Sequence, residues 1–150
     1  MLIEALVASS ILSVVLAAGI GAFLLSVRTS LGNTAEVQSA FLAEEGLEAL
    51  RIMRDNGWTA NIASQTASST FYISFNGSTW VSTASNTYID GTFERSVVLY
   101  DVYRDGGEDI TESGTLDPDT KKVTVSVSWR AQSGTSTRSL SIYMTNMFNN

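Results

Sequence analysis

The chain has no histidine and no cysteine, and a single proline, Pro118, in 150 residues. Without imidazole it cannot build a Ser-His-Asp triad, a His-liganded zinc site or an imidazole proton relay. Without thiols it has no disulfide, no thiolate nucleophile and no thiolate metal site. What remains for catalysis is carboxylate, lysine and tyrosine, with no motif that assembles them, so no enzyme is expected. Basic residues are also scarce: Lys and Arg number 9 against 15 Asp and Glu, for a net charge of −6 divided evenly between 1–58 and 59–150. No basic stripe is available to neutralise phosphates, and a direct nucleic-acid site is not expected.

Charge is missing altogether from one stretch. Between Glu4 and Arg28 no side chain is charged, and at ~1.5 Å per residue a helix over Ala5–Val27 reaches about 34 Å, enough to cross the hydrocarbon core of a bilayer. A carboxylate stands at the head of this run. Carrying it deep into hydrocarbon costs roughly 2.5–3.5 kcal/mol on the lenient insertion scales, so Glu4 calls for a partner; a first-turn position on its own helix dipole is the alternative, at about 0.3–1 kcal/mol. No Lys or Arg precedes the run, which distinguishes it from a secretory signal. A plain single-span anchor is compatible with the same residues. Gly19 and Gly21 each lower helix propensity by about 1 kcal/mol and mark a soft spot where the helix could melt. Ser9, Ser10 and Ser13 suit close helix contact, their hydroxyls bonding back to the preceding turn.

From Asn33 to Asp55 the helical pattern continues and becomes amphipathic. Leu42, Ala43, Gly46, Leu47, Leu50 and Met53 share one arc, and Glu44, Glu45, Glu48, Arg51 and Asp55 the other. Glu48–Arg51 and Arg51–Asp55 have the spacing of helix-surface ion pairs. Val37, Phe41 and Ile52 form a second apolar strip amid the charges, which points to neighbours. With no breaker between the halves, one helix over about 1–55 is predicted, roughly 80 Å long, ended by Asn56-Gly57.

The rest reads as a small antiparallel β unit. Trp58–Thr70 is expected to be a polar loop. Phe71–Phe75 and Thr79–Ser82 flank an Asn76-Gly77 turn, and Thr92–Arg104 follows. In Phe93–Tyr103 both parities carry apolar residues, so that strand is central, covered on two sides or bulged. Val123, Val125, Val127 and Trp129 alternate with polar residues. Leu140, Ile142 and Met144 do the same after a Gln132–Thr137 turn, giving a hairpin whose apolar face suits the Leu42–Met53 arc. The fold class is therefore α+β, in three parts: an apolar helix over 1–28, its amphipathic continuation over 29–57, and a β-rich head over 58–150 packed on 37–55. Asp105, Glu108, Asp109, Asp117 and Asp119 gather hard oxygen ligands around Gly106-Gly107, a composition calcium favours, although the spacing is not that of an EF-hand loop.

Leu2-Ile3-Glu4-Ala5-Leu6-Val7-Ala8 with its apolar helix resembles the N-terminal signature of type IV pilins and type II secretion pseudopilins. Ala43-Glu44-Glu45-Gly46-Leu47-Glu48-Ala49-Leu50-Arg51, running to Trp58, is similar to the globular-side half of the same helix, and the terminal hairpin to that of minor pilins. The resemblance implies a precursor held in the cytoplasmic membrane, cut by a prepilin peptidase and methylated on its new amine. It further implies assembly by the pilus machinery into a homo-oligomeric filament at the cell surface, serving adhesion, motility or surface contact. The filament core would be lined by Leu2, Ile3, Leu6, Val7, Ile11, Leu12, Val15, Leu16, Phe23 and Leu24, and Glu4 would neutralise the amine of a neighbouring copy. Family members carry one more residue before the glutamate, so either at least one residue ahead of Met1 in the native chain or an unusual processing is expected. They often carry a proline where Gly19 and Gly21 stand, so unwinding there on assembly is expected. Some pseudopilins bind calcium in the β region. A minor pseudopilin of a secretion or DNA-uptake system, and a single-span anchor displaying a β binding module, are the alternative readings.

Overall fold

The computed structural model describes residues 2–131 and 134–150. Met1 and the first two residues of the expected Gln132–Thr137 turn lie outside the described residues. The chain divides into two compact units, 1–36 and 37–150. Helix α1 (Leu2–Asp55) contributes to both, and it runs without a break through Gly19 and Gly21.

In the first unit α1 carries no charged side chain from Ala5 to Val27. Its hydroxyl residues satisfy themselves locally: Ser9 donates to Leu6 O at 3.0 Å, Ser10 to Val7 O at 2.8 Å and Ser13 to Ser9 O at 2.8 Å. Such back-bonding hides the hydroxyl from an apolar environment and lets small residues face a close neighbour.

In the second unit the C-terminal part of α1 lies on one face of a six-stranded antiparallel sheet. Its strands are β1 (Thr70–Phe75), β2 (Trp80–Thr83), β3 (Glu94–Arg104), β4 (Ile110–Thr111), β5 (Thr115–Ala131) and β6 (Gly134–Thr145). They lie in the order β2-β1-β3-β5-β6, with β4 paired to β3. The amphipathic arc is buried as the wheel predicts. Ala43, Gly46, Leu47, Leu50 and Met53 are buried, joined by Ser39 and Ala49, while Leu42 is half-buried. Against them stand the inward residues of three strands, with Val97, Leu99, Val123, Val125 and Val127 fully enclosed. Period-2 alternation in the strands and the 3.6-residue period in the helix thus meet in one core.

Four expectations need correction. Trp58–Thr70 is not a plain polar loop. Thr59–Ala63 forms a π-helical turn, and Trp58 and Ile62 are buried, so the segment seals the core at the end of α1. The predicted Arg51–Asp55 pair is replaced by Arg54–Asp55 at 2.7 Å, while Arg51 pairs with Glu48 at 2.9 Å. The turn between β5 and β6 is shorter than predicted, because Thr135, Ser136 and Thr137 are already in register with Arg130, Trp129 and Ser128. Strand β5 also starts earlier than predicted, at Thr115, with Thr115–Asp117 pairing to β3 while its pairing with β6 ends at Thr120–Thr145.

Strand β3 resolves the ambiguity left by its mixed pattern. It lies between β1 and β5, and the register slips where Asp101 faces Lys121 but Val102 faces Asp117. Residues 118–120 therefore stand outside the β3 ladder, and burial on β3 switches from Arg95, Val97 and Leu99 to Val102. The chain's proline sits in this bulge, where a missing N–H costs no ladder bond. The other face of the sheet is not covered by a second layer in this unit: Ser96 and Val98 are half-buried and Tyr100 is exposed.

Candidate functional site

Two regions carry the residues singled out from sequence. The first is the N-terminal part of α1. Leu2 (88 %), Ile3, Leu6, Val7, Ile11, Leu12, Val15, Leu16, Phe23 and Leu24 (49 %) are all exposed. No part of the helix's most apolar window is buried, and this helix is long and apolar enough to cross a membrane. Burying one such side chain is worth about 1.5–3 kcal/mol, so leaving ten of them in water forfeits on the order of 20 kcal/mol, more than the usual net stability of a domain. A surface of that cost has to be covered by lipid or by protein. Glu4 lies in the first turn of this surface.

The second strip, Val37 (57 %), Phe41 (65 %) and Ile52 (40 %), is exposed on the second unit, where it interrupts the acidic outer side of α1.

The acidic residues of the β unit are engaged in local hydrogen bonds. Arg104 stands among them, its Nε donating to Asp117 Oδ2 at 2.6 Å and its Nη1 to Glu108 O at 2.7 Å. Asp105 Oδ1 accepts the N–H groups of Gly107 (2.8 Å) and Asp109 (3.1 Å), and Asp119 Oδ1 accepts Asn146 Nδ2 at 3.0 Å. The hydrogen bond from Arg104 holds the Asp117 carboxyl below the usual carboxylate range, against an opposing push from burial. Among the described residues no three His, Cys, Asp or Glu side chains are grouped so as to hold a metal ion. Asp105, Glu108, Asp109, Asp117 and Asp119 thus share one region without converging. The positive charge that organises it is the chain's own guanidinium.

Sequence reading missed Arg95. It occupies an inward position of β3 between Phe93 and Val97 and is only 6 % exposed. Its Nη1 donates to Leu42 O and to Glu45 Oε2, both at 3.1 Å, and its guanidinium lies 5.2 Å from the Trp80 ring centroid. A cation at this depth requires such partners, and together they clamp α1 to β3 and β2. The available signal was one charged residue in phase with the buried parity of a strand.

Compared with protein-family models, with curated proteins and with solved structures, the chain matches none.

Proposed function

We propose that this chain is a structural subunit of a type IV pilus or pilus-like filament, made at the cytoplasmic membrane and assembled through the N-terminal half of α1. The single observation that carries the reading is the unbroken α1, apolar and exposed over its first half, with Glu4 at its head. Lipid covers that surface before assembly and other copies cover it afterwards. In an apolar bundle a buried carboxylate is costly, and an ammonium from a neighbour offsets the cost only when the two are aligned. Glu4 thereby sets register between copies. The exposed Val37, Phe41 and Ile52 supply further contact area near the globular part. In this reading the prepilin peptidase and the assembly machinery are the transient partners.

The test is negative-stain imaging of sheared surface material with N-terminal mass analysis, on cells producing the chain and on a Glu4→Ala variant. The proposal expects filaments containing the chain, lost in the variant while the subunit stays in the membrane fraction. Filaments unaffected by Glu4→Ala would overturn the register role, and a chain that never leaves the membrane would favour the second reading, a single-span anchor displaying the β unit. The exposed apolar helix supports that reading too, since lipid alone can cover it. A subunit absent from long filaments but needed for secretion or DNA uptake would place it among minor pseudopilins.

A further inference from the structure

The face of the sheet turned away from α1 ends in a groove of about 400 Å³ that the filament reading does not use. Its walls include Tyr88, Glu94, Ser128, Trp129, Arg130 and Thr135. Tyr88 is 59 % exposed. Glu94 accepts a hydrogen bond from Tyr72 at 3.2 Å, and burial together with this carboxylate raises the Tyr72 phenol above its ordinary value. Tyr72 therefore stays protonated and holds the carboxylate in place from one side.

The groove opens onto a continuous platform. Glu94 faces Ser128 across the β3–β5 ladder and Ser128 faces Thr137 on β6. Hydroxyls pair across β5 and β6 in three successive rows, Ser128–Thr137 at 2.9 Å, Ser126–Ser139 at 2.8 Å and Thr124–Ser141 at 2.8 Å. The next row on the same face is Tyr100, Lys122 and Tyr143, with the two tyrosines 40 % and 52 % exposed. Tyr100 lies six positions after Glu94 along β3, so at ~3.3 Å per residue the two ends of this hydroxyl-lined track stand about 20 Å apart.

We infer that this groove and track bind a neutral glycan chain. A sugar ring presents apolar C–H faces and a rim of hydroxyls that both donate and accept. Tyrosine rings at the ends suit the faces, and carboxylate, guanidinium and Ser/Thr hydroxyls suit the rim. The groove walls named above carry one carboxylate and one guanidinium, a balance that matches an uncharged ligand. The volume falls in the range of small-ligand sites, which span roughly 300–1,000 Å³. A protein partner would call for large apolar anchors at the centre of the patch, where this face has serine and threonine around a half-buried Val98. A nucleic acid would call for a cationic track, where this one has Lys122 at one end and Arg130 at the other. The inference concerns residues 72–143 alone and holds whether or not the chain forms filaments.

The experiment uses the full chain in micelles of a detergent without a sugar head group. It is applied to an array of neutral and anionic glycans and then titrated with the disaccharide and tetrasaccharide of the neutral glycan it retains. The expected result is saturable binding to a neutral glycan, with the tetrasaccharide at least tenfold tighter than the disaccharide. Tyr88→Ala and Glu94→Gln should each weaken binding at least tenfold with unchanged circular dichroism. Tyr143→Ala should lower the affinity for the tetrasaccharide and leave that for the disaccharide unaltered. Binding to anionic glycans only, no saturable binding, or folded Tyr88→Ala and Glu94→Gln variants that bind like the parent would overturn the inference.

Discussion

Replacing Gly46 by alanine tests how closely α1 approaches the sheet. In an exposed helix the exchange would stabilise by about 1 kcal/mol, because glycine carries the larger backbone entropy cost. Here a Cβ would fall 2.8 Å from Val125 Cγ1 and 3.0 Å from Arg95 Cδ, well inside the roughly 3.5–4.0 Å of a relaxed carbon contact. Neither neighbour can yield freely. Val125 is stiff at χ1 and fully buried, and moving Arg95 strains its bonds to Leu42 O and Glu45. Overpacking of this kind costs about 1–3 kcal/mol, and a weakened bond to a charged group adds about 1 kcal/mol or more. After the propensity gain the net destabilisation is about 1–3 kcal/mol, a fall of roughly 4–12 °C in Tm for a unit of this size. The assay is urea and thermal unfolding of the full chain in micelles, followed by the near-ultraviolet circular dichroism of Trp58, Trp80 and Trp129. A double-mutant cycle sharpens it: with Val125→Ala already in place, Gly46→Ala should lose about 1 kcal/mol or more of its cost. A Gly46→Ala variant as stable as the parent, or no coupling to Val125, would refute the close contact on which the α1–sheet packing is argued.

The same assays check three more expectations. Ionised Asp117 is held below its ordinary pKa of 3.8 by Arg104, so its contribution is complete above about pH 4 and is lost as pH falls through the lower folded value. Asp117→Asn should therefore be the less stable protein at pH 7, and the gap to the parent should close in acid. At Gly114 a Cβ would stand 2.3 Å from Arg104 O, so Gly114→Ala should destabilise by more than about 1 kcal/mol and disturb the Arg104–Asp117 pair, read as a smaller acid dependence. With Arg104 occupying the acidic loop, adding calcium or a chelator should leave Tm unchanged. A rise of several degrees on adding calcium would show that these carboxylates rearrange around a cation.

Much of the fold was legible because two periodicities dominate the chain. The arc from Ala43 to Met53 repeats at helical spacing, and Val123, Val125 and Val127 repeat at strand spacing. Each therefore names its buried face before any contact is known. What escaped are features set by tertiary context. Trp58 and Ile62 sit in a Ser/Thr-rich segment whose local composition reads as solvent-exposed, and only the open end of the core makes their burial favourable. The bulge at residues 118–120 is visible in sequence as a lone proline, but the slip it produces depends on β6 continuing to pair with Thr120 while β3 re-pairs at Asp117. In the acidic loop the composition shows carboxylates near glycines, but the pairing of Asp117 with Arg104, which lies outside the acidic run, depends on the β3–β5 register and leaves no local signal.

Arg95 and the N-terminal half of α1 pose the same physical question and answer it differently. Each places a group in surroundings that its chemistry resists, a guanidinium in a core and an apolar helix on a surface. For Arg95 the answer lies inside the chain, in Leu42 O, Glu45 and Trp80, and its burial is complete in a single copy. For Leu2 to Leu24 the described residues offer no cover on the side chains that need it. The forfeited burial of about 20 kcal/mol exceeds the roughly 5–15 kcal/mol that holds a typical domain together. The chain's stability in its working state is therefore inseparable from whatever surrounds that helix. If the cover is lipid alone, the position of each apolar residue around the helix is immaterial. Exchanging Ala17 for Leu would then have no effect on assembly or retention. If the cover is other copies, packing density makes each position count. The same exchange should then disturb assembly while membrane retention persists.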